Sequence, residues 1–240
     1  MRYFVSDNSD EYIKYGDWLG AMRQERFFTE PRIIIRQIVS GNPPRIYAGY
    51  TEKSLYYTQI GFGIIAKKDS QIENKYLLCI LNSQLMTFYH KYKYLDIEKD
   101  LFQKILIANC KDFPIKKIAK SEQSAFIELA DNMLLYNEEI RKQSKRFTKL
   151  LQSSFSKLNV NKKIEAWYDM KFGEFRKELE KQKVAIPIKE LMDYQELFDT
   201  NAGQIKEIQT KINNTEKAID KLVYSLYDLT SEEIQVIENQ

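Results

Sequence analysis

Between Ile205 and Leu226 the apolar residues alternate three and four apart: Ile205, Ile208, Ile212, Thr215, Ile219, Leu222 and Leu226. Three consecutive heptads with charged residues between them require a long α-helix whose stripe is covered by another helix. Phe126, Leu129, Met133, Ile140, Phe147, Leu151 and Leu158 supply a second such series, with polar Asn137 and Ser144 at seam positions, where a buried polar group fixes register. Ser121 followed by Glu122, Gln123 and Ser124 suits the start of that helix, since acids favour the first turn. A third helical stretch carries Tyr168, Phe172, Phe175 and Leu179, and the chain breaks at Ile186-Pro187. Residues 118–240 are therefore predicted to be a helical spacer or packing region of long antiparallel or coiled-coil helices, a pattern that an ordinary helical bundle satisfies equally well.

Residues 1–117 follow a different period and read as an α/β domain. Arg32 to Val39 (RIIIRQIV) is a β-branched run bounded by Pro31 and Gly41, long enough for one strand. A turn at Asn42-Pro43-Pro44 follows, then extended segments over Arg45–Tyr50 and Leu55–Ala66, with Gly49, Gly61 and Gly63 as bulge or turn points. Lys75 to Tyr89 is predicted to be one helix with Leu77, Leu78, Leu81, Leu85 and Phe88 on one stripe. Leu101 to Ala108 returns to a short apolar strand closed by Phe113-Pro114.

Candidate chemistry is sparse. Asn42-Pro43-Pro44 has the outline of the amino-methyltransferase motif, but Arg45 replaces the aromatic that would stack on a flipped base. No glycine-rich turn for S-adenosylmethionine precedes it, so a turn between strands is the simpler reading. His90 is the sole histidine; with no triad partner near it in sequence, a surface or packing role is expected, and no zinc-ligand set exists. Cys79 and Cys110 lie among apolar residues and read as buried free thiols. No Walker loop is present, and Glu98-Lys99-Asp100 and Glu180-Lys181-Gln182 do not suit a nuclease site. The expectation is a chain with no catalytic residues, no cofactor and no metal. With no signal-peptide region and no apolar run near the ~20 residues of a membrane span, it reads as cytoplasmic.

What remains is chemistry suited to nucleic acid. Lys+Arg exceed Asp+Glu by only 37 to 34, so any polyanion-binding face must be made by segregating charge. Arg23, Arg26, Arg32, Arg36 and Arg45 gather in a stretch that also holds Trp18, Phe27, Phe28 and Tyr47. Arginine gives bidentate contacts to guanine and phosphate. On a strand, Arg32 and Arg36 share one face while Ile33 and Ile35 take the other. Lys67 and Lys68, with Lys91 and Lys93 beyond them, would neutralise backbone phosphates. The competing reading of the arginines is a solvated strand face.

Several blocks together carry a resemblance. Tyr15-Gly16-Asp17-Trp18-Leu19, Arg23, Phe27-Phe28 and Pro31 to Arg36 are similar to the TaqI-like C-terminal specificity domain of type IIG restriction-modification enzymes. Tyr76 to Ser83 resembles that family's helix before the closing strands, and Phe113-Pro114-Ile115 with Glu122-Gln123 and Ile127 its junction, also similar to type I specificity subunits. Ile219 to Ile234 resembles the usual ending of these enzymes. The resemblance implies recognition of double-stranded DNA, a methyltransferase or nuclease portion of the same enzyme as partner, and helices that join the two or self-associate. Arg23 and Arg36 are the matched positions expected to touch DNA. The family's catalytic domain is not in this sequence, so a C-terminal piece or a truncated gene is expected. An interaction module working through its helical hairpin is the alternative, and an RNA-binding domain ranks lower for want of an aromatic single-strand platform.

Overall fold

A computed structural model describes residues 2–5, 14–20, 22–41, 43–58, 60–96 and 103–239. In chain order the first elements are β1 (Tyr3–Phe4), α1 (Arg26–Thr29), β2 (Arg32–Arg36), β3 (Ala48–Thr51), β4 (Gly61–Ile64), α2 (Asn74–Asn82), α3 (Gln84–Tyr94) and α4 (Ile107–Lys111). Then come α5 (Ser124–Ser154), α6 (Lys162–Glu165), α7 (Phe172–Lys181), α8 (Leu191–Leu226) and α9 (Ser231–Glu238). A small mixed sheet is thus followed by long helices, as the two sequence periods require. The chain forms two compact units, one of residues 1–134 with 215–240 and one of residues 135–214.

The first unit is organised by a four-stranded sheet of order β1-β3-β2-β4. β2 is antiparallel to both neighbours, pairing Ile35 with Ala48 on one side and with Phe62 on the other. Ile33 and Ile35 are fully buried, which suits branched side chains on a pleated face. β1 lies parallel to β3, and Gly49 permits that approach, because a Cβ there would stand 2.8 Å from Val5 Cγ2 and 3.1 Å from the Phe4 carbonyl carbon. Gly41 turns the chain at φ +100°, a conformation that glycine adopts without penalty, and the Ser40–Arg45 bridge closes the turn. Asn42 lies outside the described residues.

The helix α2 is buried on nearly every side through Tyr76, Leu78, Cys79, Ile80, Leu81 and Asn82. Its last side chain locks it to the sheet. Asn82 Nδ2 donates to Ala48 O at 2.9 Å and Leu78 O at 3.2 Å, and its Oδ1 accepts from the Ala48 N–H at 3.2 Å. The helix predicted over Lys75–Tyr89 is in fact two. Ser83 is extended (φ −66°, ψ 158°) and its hydroxyl caps α3 by accepting from the Met86 N–H at 3.1 Å. An apolar stripe could not reveal this, since a capping serine interrupts the backbone without interrupting the pattern. The strand predicted at Leu101–Ala108 is also corrected: 101–102 lie outside the described residues, Lys104 makes one bridge to Ile38, and from Ile107 the chain is helical. Tail elements complete this unit. The Asp220 carboxylate accepts from the Gln84 N–H at 2.8 Å at the start of α3, and Lys116 Nζ pairs with Asp228 at 2.8 Å.

The second unit is built on a seam that overlaps the predicted one and extends beyond it to Phe198 and Ala202. Ile140, Ser144, Phe147 and Leu151 of α5 are buried, as are Phe198, Ala202, Ile205 and Ile208 of α8. The contacts Phe155–Tyr194, Phe147–Phe198 and Tyr136–Lys211 show that α5 and α8 run antiparallel. Trp167 stacks on Phe147 with centroids 3.9 Å apart, and Phe175 and Leu179 of α7 complete the core. Ser144 serves the seam through its hydroxyl, which donates to Glu165 O at 2.7 Å. Ile212, expected in the seam, is only half-buried.

Asn82→Leu should therefore strip the Ala48 N–H and C=O of a partner inside a dry core. Each orphaned group costs about 1–3 kcal/mol, so a drop of about 2–4 kcal/mol in denaturant titration is expected. A change under about 0.5 kcal/mol would mean that the amide does not hold α2 on the sheet.

Candidate nucleic-acid interface

The end of β2 opens onto a surface where polar groups converge. Arg36 is exposed, yet its guanidinium is fixed: Nε donates to Ile38 O at 2.9 Å, a terminal nitrogen donates to the Ser40 hydroxyl, and the plane lies 4.3 Å from the Tyr47 ring centroid. A guanidinium has five N–H donors, so donors remain for a ligand after these two bonds. Arg45 bridges Ser40 through the backbone, which places it beside Arg36, and no carboxylate pairs with its side chain among the described residues. Beyond Arg36, the next residue Gln37 donates its backbone N–H to Ile60 O (2.8 Å) and accepts from the Ile105 N–H (2.9 Å). These bonds form a groove of about 360 Å³ lined by Arg23, Gln37, Ile60, Gly61, Lys104 and Ile107. Two cations and an amide over an apolar rim can meet phosphates and base edges together.

The other predicted contacts fall elsewhere. Arg32 is 0% exposed, and this corrects its expected place beside Arg36 on a DNA-facing surface. Its guanidinium donates to Glu30 O at 2.8 Å and Leu55 O at 2.9 Å, holding the segment before β4. Burial lowers its pKa from the ordinary arginine value, although a guanidinium stays charged at neutral pH. Strand alternation places Arg32 and Arg36 on one face, but the chain from Leu55 covers that face only at the Arg32 end. Arg26 is exposed on α1 with its guanidinium 5.0 Å from the Phe27 centroid. Lys67 is exposed, but β4 runs antiparallel to β2 and carries it toward the Arg32 end of the sheet. The side chain of Lys68 lies outside the described residues. Gln37 and Lys104 escaped sequence reasoning; backbone bonds of Gln103 and Ile105 to Val39 and Gln37 bring Lys104 beside Ile38, and nothing in its apolar neighbourhood signals that.

With this geometry in view, residues 2–115 match the family described as the TaqI-like C-terminal specificity domain. The N-terminal part of the chain is a TaqI-like C-terminal specificity domain. Residues 119–223 match a second family, described as a domain of unknown function (DUF8810). No curated protein and no solved structure matches the chain. The matched span of the specificity domain contains the sheet, α2 to α4 and every residue of the groove.

Among the described residues no cluster of His, Cys, Asp or Glu could hold a metal ion, and no helix is long and apolar enough to cross a membrane. Cys79 is buried and Cys110 half-buried; both thiols are free, and burial raises their pKa, that of Cys110 to about 12, which makes them poor nucleophiles. His90 is fully buried in the specificity domain beside Tyr94 and Phe113, and neither ring nitrogen has a hydrogen-bond partner. Burial lowers its pKa from 6.5 to about 4. Between these values the unfolded chain binds a proton that the folded chain refuses, so stability is full above pH 6.5 and falls as the pH drops toward 4. Asp220 works in the opposite sense, its pKa raised by burial. Because His90 is the only histidine, a His90→Leu variant should lose its share of the acid sensitivity while retaining that of Asp220. Chemical denaturation at steps from pH 7 to 4 reads the difference; parallel curves for parent and variant would mean that His90 is protonated in the fold.

Proposed function

We propose that this chain is the DNA target-recognition part of a type IIG-like restriction-modification enzyme, whose parent is an adenine-specific DNA methyltransferase or restriction enzyme. In this reading residues 1–117 recognise duplex DNA, and residues 118–240 space that domain from the methyltransferase and nuclease portion of the same enzyme. The chain contributes selection and not turnover. The observation that carries the reading is the match of residues 2–115 to a specificity family. The geometry supports a particular face: Arg23, Gln37 and Lys104 line the groove that follows Arg36 at the end of β2, and Arg45 bridges the Ser40 that Arg36 bonds. Arg36 is already ordered by Tyr47, Ile38 and Ser40, so little side-chain entropy is lost when it meets a base or phosphate.

Binding of labelled duplexes by fluorescence anisotropy tests this. Without cognate sequence, dissociation constants of about 10⁻⁴–10⁻⁶ M at physiological salt are expected, with a steep salt slope. On a cognate site Arg36→Ala should cost about 1–3 kcal/mol, and less on random duplex. Arg32→Met is the control: it should lower the melting temperature and leave the ratio of cognate to random affinity unchanged. Intact fold with no loss for Arg36→Ala or Arg23→Ala on any duplex would remove this face from the reading, and salt-insensitive binding would remove the reading itself.

A further inference from the structure

The specificity domain, residues 2–115, holds 16 Lys and Arg against 13 Asp and Glu, and a second positive excess lies outside it. Residues 135–214 hold 16 Lys and Arg against 12 Asp and Glu, while the rest of the chain holds 21 against 22. Within that unit α5 concentrates cations on one face. Lys142, Lys145, Arg146 and Lys149 follow the i, i+3, i+4, i+7 spacing that aligns side chains along one side of a helix, and all four are exposed. The seam residues Ile140, Ser144, Phe147 and Leu151 occupy the other side, so packing within the unit fixes which way the cations face. Lys142 pairs with Glu138 at 3.1 Å; Lys145, Arg146 and Lys149 have no acidic partner among the described residues.

We propose that this basic face of α5 is a second duplex-contacting surface, one that holds backbone phosphates while the specificity domain reads bases; the inference rests on the DNA-recognition reading above. From Lys142 to Lys149 the helix advances ~10 Å, about three steps of a DNA strand at ~3.4 Å each. Long flexible ammonium groups suit such a face because they follow phosphate charge without demanding one geometry. The specificity domain leaves part of this work to be done elsewhere: Arg32 is buried, and Arg36 spends two of its donors internally. Sequence-independent affinity comes chiefly from neutralised phosphates and counterion release, and the described chain offers its densest unpaired cations here.

The test uses the full chain with a labelled random-sequence duplex, titrated across a salt series, and a variant with Lys142, Lys145, Arg146 and Lys149 each changed to Gln. Because the four side chains lie away from the seam, the variant should melt with the parent. Its plot of log affinity against log salt should be shallower by about 2–4, at about 0.9 per lost phosphate contact, with affinity down about tenfold or more near 100 mM salt. The double variant Lys145→Gln with Lys149→Gln should give about half the slope change, and serves if the fourfold variant misfolds. Arg36→Ala, measured alongside, separates the two claims. If Arg36→Ala weakens binding while both α5 variants match the parent, the face is not a DNA contact and the recognition reading survives; an acidic protein as its true partner would give this result. If the parent binds no duplex, both are overturned.

Discussion

A single side-chain amide sets the frame of the specificity domain. Asn82, at the end of α2, meets both the N–H and the C=O of Ala48, the residue where β3 begins. A strand neighbour would normally satisfy those groups, but β1 starts pairing only at Gly49. The amide completes the edge of β3 and fixes the height of α2 over the sheet. The register of β3 fixes that of β2, which places Ile35 against Ala48 and Arg36 at the strand's end beside Tyr47. Arg36 inherits its position from that register, and the burial of the Asn82–Ala48 bonds makes them costly to lose.

The two arginines of β2 show how context divides one residue type. Strand periodicity makes them equivalent, and four residues separate them. Arg32 is covered, and two backbone carbonyls accept from its guanidinium; no carboxylate pairs with it among the described residues. Desolvation is tolerable there because a guanidinium spreads its charge and fills a fork of acceptors. Arg36, at the open end, spends two donors on Ile38 and Ser40, keeps the rest toward solvent and uses Tyr47 as a backing plate. The first contributes to the fold and the second is available to a ligand.

Much of the helical part was legible in the sequence. Phe147, Leu151, Ile205 and Ile208 are where a seam of three and four predicts, and Asn137 and Ser144 are buried in it as polar register points. The strand nucleus Ile33–Ile35 was equally plain from its branching. What the sequence hid depended on partners distant in the chain. The burial of Arg32 requires the loop at Leu55; the groove requires Ile38 to bridge Lys104; the break at Ser83 requires a hydroxyl to cap α3. None of these leaves a mark on periodicity, because each is one contact between segments that local pattern treats independently. The family blocks located the domain over residues 2–115 without locating its contacts.

The central claim is that this chain selects a DNA sequence. Selection from a duplex library with a randomised core, with bound molecules recovered and sequenced over successive rounds, tests it most directly. Enrichment of one discrete site is expected, and loss of that enrichment for Arg36→Ala even where the variant still retains bulk duplex. Recovery of an unenriched library by a folded, duplex-binding protein would contradict sequence recognition and leave only an electrostatic hold on the backbone.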